Sequence, residues 1–167
     1  MKKVLGALIL GLGIFAGQAQ ADLAKLYYGL GVGDGSVDVT GGGDRSFGSF
    51  SATVGLQLLD FVGVELQAGA ASDDIGSIFS ESMVSYQAAM VRLGFRWDRV
   101  GLYALGGHAL MDVDTSLNFS DSGTAIGGGI NLFGNQTTSL NFHFIRLDEG
   151  AYQNASIGIQ YYFGGFR

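Results

Sequence analysis

Ser156-Ile157-Gly158-Ile159-Gln160-Tyr161-Tyr162-Phe163, near the end of the 167-residue chain, alternates apolar with small or polar residues. Ile157, Ile159, Tyr161 and Phe163 fall on one face, a period of two that marks a β-strand. A strand that is apolar on one side needs a partner for that side, either the core of a soluble sheet or lipid.

Working outward, the same period recurs. Leu26, Tyr28, Leu30 and Val32 alternate with Tyr27, Gly29, Gly31 and Gly33. Phe50, Ala52, Val54, Leu56 and Leu58 alternate with Ser49, Ser51, Thr53, Gly55 and Gln57. Val62, Val64, Leu66 and Ala68 oppose Gly63, Glu65, Gln67 and Gly69, and Ala89, Val91, Leu93 and Phe95 oppose Ala88, Met90, Arg92, Gly94 and Arg96. Tyr103, Leu105, Ala109 and Met111 are read outward and Ala104, Gly106, His108 and Leu110 inward, although the two faces are nearly equal in hydropathy. Ile126, Gly128, Ile130 and Leu132 share a face, as do Leu140, Phe142 and Phe144 opposite Ser139, Asn141 and His143. Tight turns at Asp60-Phe61, Asp98-Arg99 and Gly134-Asn135 alternate with four polar loops over Asp34–Arg45, Ser72–Ser82, Asp112–Ser122 and Asp148–Gln153. The count is eight strands, with turns alternately short and long.

The chain begins Met1-Lys2-Lys3, runs through the apolar stretch Val4–Ala16 and reaches Ala19-Gln20-Ala21. A basic start, a short apolar run and a small-x-small site describe a secretory signal cleaved after Ala21. The run is shorter than the ~20 apolar residues that span a bilayer, and no later segment reaches that length. The expected organisation is a signal peptide over 1–21 and one domain over 22–167. That domain carries 7 Lys+Arg against 15 Asp+Glu, a net charge of 7 − 15 = −8, which excludes nucleic acid as a partner. With no Cys there is no disulfide framework and no thiolate nucleophile, and with no Pro the ladders run uninterrupted.

A lipocalin-like barrel or a sandwich would also use eight such strands, but would put the large apolar side chains inside. The minor face here is Gly, Ser, Thr and Gln, with Glu65, Arg92 and Arg96 as its few charges. That composition fits a narrow lumen filled by small polar groups better than a water-facing sheet. The fold expected is an all-β, eight-stranded antiparallel up-and-down transmembrane β-barrel.

Ser156, Gly158, Tyr161 and Phe163 meet a polar-x-Gly-x-x-aromatic-x-aromatic pattern that resembles the C-terminal assembly signal of bacterial outer-membrane barrels. From Asp22 to Phe163 the chain resembles the eight-stranded family of outer membrane protein A (its barrel domain) and outer membrane protein X. The resemblance implies a Gram-negative outer-membrane location, with periplasmic chaperones and the barrel assembly machinery as partners in export. It also implies contact with outer-membrane lipids and lipopolysaccharide. Gly164-Gly165-Phe166-Arg167 extends past the usual aromatic end, so Phe163 and Phe166 are both available as the residue read.

An Arg facing lipid at mid-membrane costs roughly 2–4 kcal/mol and almost nothing near the interface. Arg92, several residues above the Asp98 turn, should therefore face the lumen. Glu65 is expected nearly opposite Leu93 and Gly94, and an ion-pair cluster of Glu65, Arg92 and Arg96 is expected to plug the lumen. Arg146 should lie at the outer interface. Eleven of the fifteen acids fall in the four long loops, which reads as a solvated rim or as a divalent-cation surface shared with lipid phosphates. Asp112-Val113-Asp114-Thr115-Ser116 begins like a Ca²⁺ loop but lacks the Gly and late Glu of an EF-hand.

His108 and His143 have no Cys or clustered carboxylate beside them, so no metal or cofactor is expected. Ser139, Asn141 and His143 superficially suggest a Ser/His pair, but they point inward, and His143-Phe144-Ile145 breaks the His-x-Ser of lipid A deacylase barrels. The function expected is a non-enzymatic monomer, porin-like in architecture only, that serves envelope integrity or surface interaction. A lipid-modifying enzyme and an adhesion or complement-evasion protein are the alternatives.

Overall fold

A computed structural model describes residues 24–39, 43–58, 61–72, 84–113, 119–147 and 151–163. Among them are eight strands: β1 (Ala24–Val39), β2 (Gly43–Leu58), β3 (Val62–Ser72), β4 (Val84–Trp97), β5 (Val100–Val113), β6 (Phe119–Phe133), β7 (Thr138–Leu147) and β8 (Tyr152–Phe163). Each pairs antiparallel with the next and β8 pairs with β1, so the sheet closes into a barrel. The expected leader over 1–21 and the tail from Gly164 lie outside the described residues.

The register fixes the geometry of the wall. Starting at Ala24 and following cross-strand partners gives Leu58, Val62, Leu93, Ala104, Gly128, Phe144 and Ala155, and the path returns to β1 at Asp34. The return point is displaced by 34 − 24 = 10 residues, a shear of ten over eight strands, which requires steeply tilted strands, about 35–45° from the axis. Each step round the wall therefore lifts the paired position by 10/8 of a residue.

With that tilt taken into account, the outward side chains form levels. Tyr28, Leu30, Val54, Leu66, Val91, Ile130, Phe142 and Ile159 belong to an apolar band that is largely exposed. Above it Asp34, Gln87, His108, Thr124, Arg146 and Gln153 fall at nearly one height, a polar belt where the chain leaves the band. Below it Trp97, 81% exposed, and Phe61, Phe95, Tyr161 and Phe163 make an aromatic girdle. Tyr161 and Phe163 both stack on Tyr28 across the seam, with centroids 5.8 and 5.4 Å away.

Two expectations are corrected here. The Gly- and Asp-rich segments read as long loops are in large part strand: β1 continues to Val39, β2 starts at Gly43, β5 continues to Val113 and β6 starts at Phe119. A ladder needs only backbone N–H and C=O, so pairing overrides the low strand propensity of Gly and Asp. In β5 the faces are exchanged: Tyr103, Leu105, Ala109 and Met111 are buried, while Leu102, Ala104, His108 and Leu110 are exposed. The Tyr103 phenol decides the matter, because inside it meets hydrogen-bond partners that lipid cannot supply.

The interior is layered rather than uniformly polar. Towards the loop end Phe47, Val84, Tyr86, Met111, Leu147 and Tyr152 pack into an apolar layer. Towards the turn end Tyr27, Phe133 and Tyr162 form a smaller aromatic layer. Between them lies the polar network. Large inward rings face inward glycines: a methyl at Gly55 would overlap Tyr27, one at Gly69 would overlap Tyr86, and one at Gly129 would meet the phenol of Tyr103. The described tight turns are local. Asp98 takes φ = 53°, which Asp tolerates, and Asn135 Oδ1 accepts from the Thr137 and Thr138 amides at 2.8 and 2.7 Å.

Candidate functional site: the filled lumen

Glu65 on β3 and Arg92 on β4 meet about midway between the Asp98-Arg99 turn and the polar belt. Arg92 Nη1 donates to Glu65 Oε2 at 2.9 Å and to the Tyr27 hydroxyl oxygen at 3.3 Å, and the Tyr27 hydroxyl donates to the same Oε2 at 2.6 Å. The guanidinium carbon lies 3.6 Å from the centroid of the Tyr103 ring and 5.1 Å from that of Tyr27. Both charges are buried between rings, where attraction is strong and an unmatched charge is costly.

Tyr103 links the pair to a second set of groups. Its hydroxyl is 2.9 Å from His143 Nδ1 and accepts from Asn141 Nδ2 at 2.8 Å, while His143 Nε2 lies 3.1 Å from Gln67 Nε2. Asn141 Nδ2 also donates to Asn131 Oδ1 at 2.6 Å, Asn131 Nδ2 donates to Tyr162, and Tyr162 donates to Gln160 Oε1. Eight strands leave an interior of side-chain width, and these groups occupy it.

A closed eight-stranded wall with an apolar exterior and hydrogen-bonded interior is a membrane-spanning design. The model of the family described as "Outer membrane protein beta-barrel domain" matches residues 7–163. The chain belongs to this family. Among solved structures, this member of the outer membrane β-barrel family is similar to the N-terminal β-barrel domain of Pseudomonas aeruginosa OprF. The identity is 12%, with 82% of this chain and 97% of that chain covered and a TM-score of 0.59. It is also similar to Ail, the attachment invasion locus protein of Yersinia pestis (18% identity, 84% and 99% covered, TM-score 0.58). Neisserial surface protein A follows at 13% identity, 84% and 97% covered, TM-score 0.55. At these identities the likeness is one of fold. No curated protein matches.

The structure brings Glu65 and Arg92 together and leaves Arg96 out. Glu65 pairs in register with Met90 rather than with Leu93 and Gly94, and Gly63 pairs with Arg92. The reason is that β3 and β4 are joined at the loop end, so the Asp98 turn does not set their register. β4 then outruns β3: the Gly94 amide donates to the Phe61 carbonyl, and Arg96 pairs with Gly101 on β5 alone. Arg96 lies at the turn-end mouth, its guanidinium 3.7 Å over the Phe133 ring and its Nε donating to the Asp98 carbonyl at 2.8 Å.

In the closing strand Ser156 and Gly158 face inward and Tyr161 and Phe163 outward. A methyl on Gly158 would run into the Leu30 carbonyl and lie 2.8 Å from the Gly31 Cα, so this glycine lets the β8–β1 seam close tightly. His143 faces Gln67 and Tyr103, whereas His108 faces outward across from Thr124. Among the described residues no three of His, Cys, Asp and Glu converge on a point; Asp114 and Ser116 of the Ca²⁺-like run lie outside them. Sequence reasoning missed Tyr27, Tyr103, Tyr162, Gln67 and Asn131 as lumen partners. For Tyr27 and Tyr103 the available signal was an inward glycine on the neighbouring strand, Gly55 and Gly129; for Tyr162, Gln67 and Asn131 there was none.

Proposed function

We propose that this member of the outer membrane β-barrel family is a non-enzymatic, monomeric envelope protein whose lumen is closed. It acts by spanning the membrane and presenting acidic loops at the surface, for envelope integrity or surface interaction. The observation that carries the reading is the filled interior: an apolar layer lies above the Glu65–Arg92 pair and an aromatic one below it. In this reading 1–21 is the cleaved signal, and both ends of the 22–167 barrel are periplasmic with the long loops extracellular. Ser156, Gly158, Tyr161 and Phe163 are read by the barrel assembly machinery after periplasmic chaperones deliver the chain. Lipopolysaccharide and the other outer-membrane lipids surround the wall.

Heat-modifiable migration of the outer-membrane fraction on SDS gels tests the location, and planar-bilayer recordings test the closed lumen. Stable large conductance would refute closure. One solved structure of Ail carries the heparin analogue sucrose octasulfate. Eleven acids in the long loops and the strand ends that flank them make a polyanion a poor fit for that end of the present chain. Adhesion through them would instead favour basic partners, and cell-binding assays with loop deletions test it.

One observation favours the lipid-modifying alternative: His108 is turned to the lipid face at the polar belt, beside Thr124. Among the described residues no carboxylate is bonded to His108. Mass spectra of lipid A from cells with the protein, without it, and with His108→Ala discriminate, because an enzyme would change an acyl chain and lose that change in the variant.

A further inference from the structure

The middle of the lumen holds a small void of about 10 Å³ between the polar network and the β8–β1 seam. Gly31 of β1, Ser51 and Thr53 of β2, Gln67 of β3, His143 of β7 and Ser156 of β8 border it. A water needs roughly 10–15 Å³ on this measure, so the void has the size of one. Gln67 is 4% exposed, and its side-chain oxygen has no hydrogen-bond partner among the described residues. The neighbouring histidine is the cause. His143 Nε2 lies 3.1 Å from Gln67 Nε2, so the ring occupies one end of the amide, whichever tautomer it takes, and leaves the other end to the void. Gly31 marks where the room lies. A methyl built on it would sit 2.9 Å from the Ser51 hydroxyl oxygen, and 3.5 Å from both the Ser156 hydroxyl oxygen and the Ile157 carbonyl oxygen. Three oxygens thus converge on a point in front of a residue that has no side chain to place there.

We infer that this point is a binding site for one ordered water, held by the Ser51 and Ser156 hydroxyls and by the unbonded end of the Gln67 amide. Water suits the site because it both donates and accepts, and so meets the amide oxygen or, with the amide turned over, the amide nitrogen. The two hydroxyls rotate to complement either case. Buried waters typically make about three hydrogen bonds to groups that would otherwise lack them, and the site offers three side chains. Cavities that stay dry are lined by apolar groups, whereas hydroxyls and an amide line this one. The bound water joins β3, through Gln67, to the seam between β1 and β8 on the far side of the lumen. A dry void would close the lumen equally well. Failure of this inference therefore leaves the proposed function standing, and a conducting barrel would not by itself remove the water.

The test uses the full barrel refolded in a non-ionic detergent. Magnetisation transfer from water is recorded by NMR in the laboratory and rotating frames at the Gln67 side-chain amide and the Gly31 Hα. A bound water gives cross-peaks of opposite sign in the two experiments, whereas direct proton exchange gives the same sign in both. Peaks of opposite sign are expected at both positions in the parent protein, and their absence overturns the site. Gly31→Ala puts a methyl where the water sits and needs only the Ser51 side chain to move, so it should abolish the peak at Gln67. Persistence of that peak in the variant also overturns the site, because the Ser51 and Ser156 hydroxyl protons would then be its source. Gly106→Ala, whose methyl meets nothing within 4 Å, is the control and should keep the peaks at full strength. If Gly31→Ala does not give the heat-modifiable folded form, a crystal structure of the parent that shows ordered solvent decides. Density at hydrogen-bond length from Ser51, Ser156 and Gln67 is expected. An empty void, or the shorter contacts from five or six oxygens that a metal cation makes, overturns the inference.

Discussion

Glu65 and Arg92 face each other across 2.9 Å at the middle of the lumen, and the Tyr27 hydroxyl donates to the same carboxylate oxygen that Arg92 holds. Three strands, β1, β3 and β4, are thereby tied at one point. A pair this buried contributes little over apolar packing but is costly to break on one side, since the survivor is stranded.

Glu65→Gln is accordingly expected to destabilise the barrel by about 3–5 kcal/mol, read as a lower urea midpoint for folding into lipid vesicles. The double change Glu65→Leu with Arg92→Met should recover most of that loss. Equal stability of Glu65→Gln and the parent would remove the pair as a structural element.

The ring-over-glycine contacts predict that Gly55→Ala costs about 1–3 kcal/mol, because the new methyl must displace the Tyr27 ring in a filled interior. Combining it with Tyr27→Ser should not add a second full penalty, as the two residues share the space. Denaturation of the four proteins of the cycle measures the coupling.

Gly158→Ala meets backbone rather than a movable side chain, so nothing nearby can yield cheaply. The expected result is a cost of at least about 1–3 kcal/mol together with a lower yield of the heat-modifiable form. A substitution of the exposed Ile159 to Val, next along the strand, serves as the control and should be nearly silent.

The level of the polar belt can be checked by placing a cation above and below it. Ile157→Arg, inside the apolar band, should cost roughly 2–4 kcal/mol in vesicles, and Gln153→Arg should cost close to nothing. Equal penalties would mean that the belt does not mark the membrane boundary.

Strand number, closure and the facing of seven strands were legible because lipid on one side and a filled lumen on the other force strict alternation. The eighth, β5, was not, for a physical reason. Its faces are nearly equal in hydropathy, and the deciding preference belongs to the Tyr103 hydroxyl, whose partners Asn141 and His143 lie on another strand. The extent of the hairpins was hidden likewise, since Asp34–Val39 is a turn by composition and a strand by pairing with Gly43–Gly48. In the candidate site, the depth argument was enough to turn Arg92 inward next to Glu65. Arg96 needed the register of β3 against β4, set by a connection with no alternation to read.

The seam joins Leu26 to Phe163, residues 163 − 26 = 137 positions apart. Every other neighbouring pair of strands is a local hairpin, so this one contact carries the largest loop-closure entropy in the molecule and is the last that chain order favours. Until it forms, β1 and β8 are both open edges bearing unpaired backbone groups and a row of exposed aromatics. The stretch that completes the wall is therefore also, until the wall closes, the segment most open to pairing with a second chain.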